Sequence, residues 1–215
     1  IRRQRQMCIR DRWVNLRELG AKGDGETDDT KAIQEAIDKY DNIYVPQGWY
    51  RITETLKMKP NTKLIGLHPF GTQFRLNEST AAFSGFGGPK AMVESSEGGA
   101  NMLVGIGINT GGYNYRAVGV KWMANADSYM NDVKFVGGHG GLWKPKPGVA
   151  EPRGWWERPV RISSPDNPVA ASGMDLAWDN QYWSLWVTNN GGGTFKDIWT
   201  ASTYATNGFY ANNTS

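Results

Sequence analysis

The sequence predicts an all-β protein whose short strands stack as the coils of a parallel β-helix, a single-stranded solenoid with an N-terminal capping α-helix. Three observations support this prediction. Short runs that favour strands recur with Gly, Asn and Pro between them, no helical segment separates them, and an amphipathic helix precedes the first run. Because the sequence repeat is weak, a β-sandwich is the alternative that periodicity leaves open.

The predicted cap covers residues 13–41. Residues 14–19 alternate apolar and polar side chains as a strand does, and residues 20–26 are rich in glycine, which indicates a turn. Thr27 or Asp28 is expected to cap a helix whose apolar residues recur at helical spacing. Those residues are Ala32, Ile33, Ala36, Ile37 and Tyr40. Such a helix suits a solenoid, because the first coil otherwise exposes an apolar face and unpaired strand edges.

After the helix the apolar period changes from 3.6 to 2, which predicts a series of strands. The central runs are not joined by the two-residue turns typical of hairpins, which favours coils over antiparallel pairs. The predicted strands cover residues 42–46, 49–53, 55–59, 62–67, 72–76, 102–108, 116–123, 130–136, 184–188, 194–199 and 207–211.

Residues 142–183 interrupt this rhythm with six prolines and five tryptophans. So long an irregular segment in a compact domain is either functional or disordered, and its aromatic residues argue against disorder. We therefore expect a structured loop that projects from one side of the solenoid. Residues 13–215 as a whole are expected to be the N-terminal part of one β-helix domain.

Residues 1–12 have neither a helical nor a strand period, and we interpret them as a non-native, adaptor-like segment. They hold five Arg and one Asp, whereas the remaining chain has 19 basic and 20 acidic residues, so a nucleic-acid partner is not expected. No apolar run reaches the roughly 18 residues that cross a bilayer, so no membrane partner is expected. Cys8 is the only cysteine and lies in this segment, so neither a disulfide, a metal site nor another cofactor is expected. No apolar stretch of a signal peptide follows the basic residues, and we expect a fragment that is open at both ends.

Two sets of segments, one in each half of the chain, resemble known proteins. The start of pectate-lyase-superfamily proteins resembles three segments of this chain: Gly20-Ala-Lys-Gly-Asp-Gly-Glu-Thr-Asp-Asp-Thr-Lys-Ala-Ile-Gln-Glu-Ala-Ile37, Ile43-Tyr-Val-Pro-Gln-Gly-Trp-Tyr-Arg-Ile52 and Leu64-Ile-Gly66. That start is shared by glycoside hydrolase families 28-related and 55 and by phage tailspikes. Residues 117–123, 130–140 and 185–199 are similar to family-55-related bacterial proteins. The resemblance implies right-handed coils, a large secreted protein with a second β-helix in the same chain, and action on β-1,3-glucan or a related polysaccharide. It also implies a general acid in that second β-helix, beyond Ser215.

The candidate substrate-binding residues combine aromatic platforms with carboxylates. Exposed tryptophans can pack against the C–H faces of sugar rings, although they could equally hold the loop to the solenoid. Asp175 and Asp179 flank Trp178, and paired carboxylates are the usual groups of glycoside hydrolysis, with solvated or capping aspartates as the alternative. His139 lies on a bare glycine turn, where a structural hydrogen bond is the alternative to sugar contact. The full set is Trp143, Trp155, Trp156, Asp175, Asp179, Trp183 and His139.

Other polar motifs are expected to be structural. The four carboxylates of residues 23–29 lack the spacing of a calcium loop, so glycine turns and helix capping explain them better. His68 precedes Pro69 and is expected to be structural. Asp132 and Asp197 lie inside strand-like runs and are expected to be outward or turn residues.

Three functions remain open at the level of the sequence. The first is a secreted or cell-surface glycoside hydrolase, with this chain providing scaffold and one wall of the substrate groove. The second is a non-catalytic, glycan-binding β-helix of the tailspike or adhesin kind. The third is a Ca²⁺-dependent polysaccharide lyase, which the near-neutral charge after residue 12 disfavours because uronates attract basic clusters.

Overall fold

The computed structural model describes residues 13–77, 79–85, 87–112, 114–136, 182–200 and 208–215. Within these ranges the chain forms mostly parallel β-structure with one α-helix. The candidate residues Trp143, Trp155, Trp156, Asp175, Asp179 and His139 lie outside the described residues. The elements are β1 (Val14–Asn15), β2 (Asp24–Asp28), α1 (Thr30–Lys39), β3 (Asn42–Val45), β4 (Gly48–Arg51), β5 (Leu56–Lys57), β6 (Lys63–Gly66), β7 (Thr72–Arg75), β8 (Lys90–Glu94), β9 (Met102–Val104), β10 (Gly107–Asn109), β11 (Ala117–Trp122), β12 (Tyr129–Val136), β13 (Leu185–Val187), β14 (Thr194–Thr200) and β15 (Phe209–Ala211).

The strands stack in three columns, and within each column every pair of neighbouring strands is parallel. The first column contains β1, β3, β6, β9 and the first halves of β12 and β14. The second contains β2, β4, β7, β10 and the second halves of β12 and β14. The third contains β5, β8, β11, β13 and β15. Each pass of the chain therefore adds one strand to each column, about 4.8 Å from the previous one.

The core consists of three apolar ladders, one for each column, because inward positions of paired strands stack directly on one another. Their members are all buried. The ladders are Ile43, Leu64, Leu103 and Met130 in the first column, Tyr50, Phe74, Ile108 and Phe135 in the second, and Leu56, Val93, Val120 and Leu185 in the third.

Helix α1 covers the open edge of the third column, as the amphipathic pattern predicts. Ile33, Ala36 and Ile37 are buried against the core. The Gln34 side chain accepts a hydrogen bond from the Lys57 backbone N–H at 2.8 Å and donates one to the Lys57 carbonyl at 3.1 Å. A side-chain amide thus replaces a neighbouring strand at β5, which satisfies edge groups that would otherwise lack a partner in the fold.

The Gly20–Asp29 segment is organised by a buried carboxylate. Asp29 is 1 % exposed and accepts hydrogen bonds from the backbone N–H groups of Lys22 at 2.7 Å and Gly23 at 2.9 Å. Gly23 has φ of 62°, and a Cβ at this position would come within 2.9 Å of the Tyr50 ring. Glycine is therefore required here both by backbone conformation and by close packing.

Several predicted boundaries are wrong in detail. Asp29, not Thr27 or Asp28, occupies the N-cap position of α1, and its carboxylate makes no capping bond because it binds the preceding turn. The Asp28 carboxylate does accept the backbone N–H of Thr30, the first residue of the helix, at 3.0 Å, so Asp28 contributes to capping as expected. Residues 24–28 form a strand rather than a turn, because they pair with β4. The strand predicted at 14–19 ends at Asn15, where a turn begins. The run predicted at 102–108 is two strands separated by a bend at Gly105, which has φ of 63°. Strand β8 was not predicted.

The two aspartates expected at outward or turn positions occupy equivalent bends. Asp132 in β12 and Asp197 in β14 both have φ of 50°, in the left-handed region. These bends divide each long strand between the first and second columns.

Among the described residues, no helix is long and apolar enough to cross a membrane.

Candidate functional site

The second column carries the most chemically varied outward surface of the described chain. Paired residues of successive strands form one row across it, which we call the outer row. In order it consists of Asp24, Trp49, Gln73, Gly107, Lys134 and Trp199. Trp49 is 45 % exposed and Trp199 is 37 % exposed. With four coil steps between them, the backbone positions of the two tryptophans are about 19 Å apart.

The neighbouring outward row adds cationic groups beside the first tryptophan. Arg51 pairs with Arg75 in register, and the Arg75 guanidinium lies 4.5 Å from the centre of the Trp49 ring. Arg51 donates a hydrogen bond through Nη1 to the Glu26 carbonyl at 2.6 Å. These contacts hold the Trp49 indole against the sheet at one edge of the surface.

The loop of residues 67–71 crosses the outer row at Gly107. A Cβ at position 107 would overlap the carbonyl oxygen of Pro69, so the loop can lie this close only over a glycine. The loop is closed by hydrogen bonds from the backbone N–H groups of Gly71 and Thr72 to the His68 carbonyl, at 3.1 and 2.9 Å. His68 Nδ1 also accepts a bond from the Phe70 backbone N–H at 3.2 Å, consistent with the structural role predicted for it.

Phe70 belongs to this loop and lies between the two ends of the outer row, because it contacts Trp199 and lines the same cleft as Trp49. Its ring stacks on His68 with centroids 5.3 Å apart and meets Trp199 at 5.4 Å. The Lys134 ammonium group lies between these rings, 3.5 Å from the centre of Phe70 and 4.5 Å from that of Trp199. Within the described ranges no carboxylate forms an ion pair with Lys134.

Desolvation by the surrounding rings lowers the pKa of Lys134 from its ordinary value. The aromatic faces attract the ammonium group, but they replace part of its hydration shell without supplying a countercharge. The ammonium group of Lys134 is therefore held in place by two rings, and it can donate hydrogen bonds to a polar group of a bound molecule.

An open cleft of about 320 Å³ lies at the other end of the outer row. Its floor is bare backbone at Gly23, Gly48 and Gly71, joined by the hydrogen bond from Gly48 N–H to the Gly71 carbonyl at 2.8 Å. Its remaining lining residues are Asp24, Gln47, Trp49 and Phe70. Absence of side chains on the floor lets a flat ring approach the main chain closely.

Both carboxylates at this end favour the ionised form. Asp24 accepts bonds from the Thr27 hydroxyl and from the backbone N–H groups of Thr27 and Glu26, which lower its pKa to about 2. Partial burial opposes the ionisation of Asp28, but hydrogen bonds from Thr30 and Thr53 outweigh it and lower its pKa. Neither carboxyl group is thus suited to donate a proton near neutral pH.

Trp183 is the one candidate of the sequence analysis that the structure describes. Its ring stacks on Tyr210 with centroids 4.1 Å apart and contacts Trp186 at 5.0 Å. Both partners belong to the third column. The structure therefore does not bring Trp183 into the outer row, and its role in substrate binding remains a prediction.

Sequence reasoning missed Asp24, Trp49, Phe70, Lys134 and Trp199 as site residues. The alternation in β4 could have identified Trp49, because Tyr50 beside it is buried and Trp49 must therefore point outward. The adjacency of Lys134 and Trp199 requires the register between β12 and β14, which no single strand reveals.

Among the described side chains, no group of three or more His, Cys, Asp and Glu is arranged to hold a metal ion.

Curated relatives match short segments of the chain. It is 46 % identical over 59 residues to a protein named probable glucan endo-1,3-beta-glucosidase from Arthroderma benhamiae, covering 26 % of this chain and 7 % of the relative. It is 43 % identical over 53 residues to the preneck appendage protein of Bacillus phage PZA, covering 25 % and 6 %. It is 41 % identical over 64 residues to alginate lyase 7 of Azotobacter vinelandii, covering 24 % and 8 %. The chain thus spans 6 to 8 % of the length of these relatives.

Two solved structures illustrate the structural likeness. ORF18 of Geobacillus virus E2 is similar with a TM-score of 0.44 and 24 % identity, over 60 % of this chain and 27 % of that one. The A-module of an Azotobacter vinelandii mannuronan C-5 epimerase is similar with a TM-score of 0.33 and 18 % identity, over 88 % and 42 %.

A family model described as rhamnogalacturonase A/epimerase, pectate lyase-like, matches residues 13–135, which is more than half of the chain. That range contains the cap, the glycine-rich segment, the three complete coils from β3 to β11 and most of β12. The match of this family model confirms the resemblance to pectate-lyase-superfamily proteins. The chain belongs to the rhamnogalacturonase A/epimerase, pectate lyase-like family.

Proposed function

We propose that this protein is a carbohydrate-active, right-handed parallel β-helix that acts outside the cell and binds a polysaccharide along its outer row. The observation that carries the proposal is the alignment of two exposed tryptophans, Trp49 and Trp199, with polar groups between them. Sugar rings pack their C–H faces on aromatic rings and present hydroxyls to donors and acceptors at the edges.

The dimensions of the row suit an extended chain of sugars. The row runs across the strands, so its spacing is that of the coils, about 4.8 Å. The backbone positions of Trp49 and Trp199 are about 19 Å apart, the length of several linked pyranose units, and the exposed ring of Phe70 lies between them on the loop that crosses the row. Gln73 and Lys134 lie between them and provide hydrogen-bond donors for hydroxyl groups.

The first candidate reaction is hydrolysis of β-1,3-glucan or a related polysaccharide. Its support is the 46 % identity over 59 residues to a protein named as a probable glucan endo-1,3-beta-glucosidase. Hydrolysis requires a carboxylic acid that is still protonated near neutral pH. Asp24 and Asp28 do not meet this requirement, so we assign no general acid to the outer row.

We further propose that the segment after Val136 extends the binding surface. Val136 is the last residue of β12 and belongs to the second column, next to the outer row. The chain that follows contains His139, Trp143, Trp155, Trp156, Asp175 and Asp179. These residues remain candidates for sugar contact.

The second candidate is a glycan-binding protein without catalytic activity. It is favoured by the same lowered pKa values, since ionised carboxylates accept hydrogen bonds from hydroxyls but do not protonate a leaving group. The chain matches a phage appendage protein over 53 residues and the glucosidase relative over 59 residues, so these short matches do not separate the two functions.

The binding proposal is tested by affinity electrophoresis of the protein in gels that contain laminarin or polygalacturonate. Trp49→Ala and Trp199→Ala should each weaken retention in at least one gel, by roughly 2- to 10-fold in affinity, as expected for one aromatic contact. Trp13→Ala is the matched control, because Trp13 is 49 % exposed and precedes the first column. Equal retention of all three variants would contradict the proposed surface.

Product analysis separates the reactions. Glucose or short glucans released from laminarin would support hydrolysis, whereas unsaturated products that absorb in the ultraviolet would identify a lyase. Retention in the gel without any product would favour the non-catalytic function.

A further inference from the structure

We propose that the cleft beside Trp49 is a subsite for an uncharged pyranose, and that Asp24 makes it select against uronates. This inference rests on the proposed polysaccharide binding and adds a chemical class of sugar for one position of the outer row. The cleft is named here by its lining residues Asp24, Gln47, Trp49 and Phe70 and by its glycine floor.

The shape of the cleft matches a single sugar ring. It measures about 320 Å³ and is open to solvent on one side. Trp49 and Phe70, both largely exposed, provide apolar walls from two successive coils. The floor has no side chains, because Gly23, Gly48 and Gly71 meet there. Apolar walls with a few polar groups at the rim are the usual composition of a small-molecule site.

Two of the three floor glycines, Gly23 and Gly48, leave no room for a Cβ, and the third, Gly71, leaves little. A Cβ at Gly48 would come within 2.8 Å of both the Gly23 carbonyl oxygen and Arg17 Nη2. At Gly71 it would come within 3.3 Å of the Gln47 Cγ. The close packing of these three backbone segments thus keeps the floor flat and free of side chains.

The polar groups of the rim are suited to hydroxyls. The Gln47 side-chain amide makes no hydrogen bond to any described residue, so its donor and acceptor are both available. Asp24 lies one coil step from Trp49, about 4.8 Å along the outer row. Its carboxylate is oriented by three hydrogen bonds from Glu26 and Thr27, and it retains lone pairs for further donors.

The same carboxylate excludes an acidic sugar. Asp24 remains ionised because its donors, two backbone N–H groups and one hydroxyl, stabilise the anion. A uronate ring stacked on Trp49 would place a second carboxylate close to it, and like charges repel. Arg75 on the Trp49 ring and Arg17 on the Gln47 carbonyl keep their charge, but among the described residues that line the cleft Asp24 is the one with a charged side chain. A neutral hexose meets no such repulsion.

The test measures the affinity of laminarihexaose and of hexagalacturonate by isothermal titration calorimetry, for the protein and for Asp24→Asn. The asparagine keeps an oxygen that can accept the two backbone N–H bonds at Asp24 Oδ1. We expect the variant to bind hexagalacturonate about 5-fold more tightly, the factor that one like-charge contact near 4 Å in water implies. Its affinity for laminarihexaose should fall or stay unchanged, and the gain for the uronate should disappear at high salt.

The matched control is Glu35→Gln, which removes the same charge from the exposed face of α1. It should leave the ratio of the two affinities unchanged. If Asp24→Asn also leaves that ratio unchanged while both sugars bind, the selective subsite is refuted and the binding surface stands. If the unaltered protein binds neither sugar, the proposed function itself fails.

Discussion

Replacement of Gly107 by alanine tests the link between the fold and the outer row. The added Cβ would overlap the Pro69 carbonyl oxygen and come within 2.9 Å of the Gln73 Cγ. The Gln73 side chain can move, but the carbonyl belongs to the loop backbone. Overpacking of this kind costs about 1–3 kcal/mol, and we expect a value near 2 kcal/mol because a backbone atom must shift. At a urea slope of about 2 kcal/mol/M, the unfolding midpoint falls by roughly 1 M.

The displaced loop should also release Lys134. The loop that crosses Gly107 carries Phe70 over Lys134, so retreat of the loop should rehydrate the ammonium group. The lowered pKa of Lys134 should then rise toward the ordinary lysine value of 10.5. NMR titration of the reductively methylated lysines measures this change directly.

Gly88→Ala is the control for Gly107→Ala, because a Cβ at position 88 meets nothing within 4 Å. It should change neither the urea midpoint nor the titration of Lys134. The reasoning is refuted if Gly107→Ala unfolds at the same urea concentration as the parent and Lys134 titrates as before.

Three further changes test the cap and its turn. Gln34→Ala removes the amide that pairs with the Lys57 backbone and should cost about 1 kcal/mol in urea unfolding, whereas Lys31→Ala on the exposed face should be neutral. Asp29→Ala leaves two backbone N–H groups of the preceding turn without their buried acceptor and should cost about 3 kcal/mol, and a loss below 1 kcal/mol would contradict the role given to this carboxylate. The pKa of Asp24 is lowered from 3.8 to about 2, so its contribution to stability is present above pH 4 and is lost as the pH falls toward 2. Asp24→Asn should therefore flatten the dependence of thermal unfolding on pH between 4 and 2, and an unchanged slope there would show that the hydrogen bonds to Asp24 do not form in solution.

The sequence predicted the elements whose apolar pattern is regular. Helix α1 was found because Ile33, Ala36 and Ile37 recur at helical spacing and are buried on one face. Strand β2 was missed because Asp24-Gly-Glu-Thr-Asp28 has no apolar alternation, and its strand conformation comes from pairing with β4. Strand β8 was missed because its three central residues are all buried, so it shows no alternation either.

The candidate site was harder to predict than the fold. Each member of the outer row is an ordinary outward residue in its own strand, and its neighbours come from strands that are distant in sequence. Lys134 and Trp199 meet only because β12 and β14 pair in register, and Phe70 reaches them only because Gly107 admits the loop. Sequence motifs reveal residues that cluster along the chain, whereas this surface is assembled one residue per coil.

Such assembly fixes the spacing of the outer row in steps of one coil. Because each coil contributes a single rung, deletion of one complete coil would bring Trp49 and Trp199 closer by about 4.8 Å while all three columns kept their register. Deletion of one residue within a strand would instead exchange its inward and outward side chains. Variants of this architecture can therefore change the length of the outer row in whole coil steps, without redesign of the core.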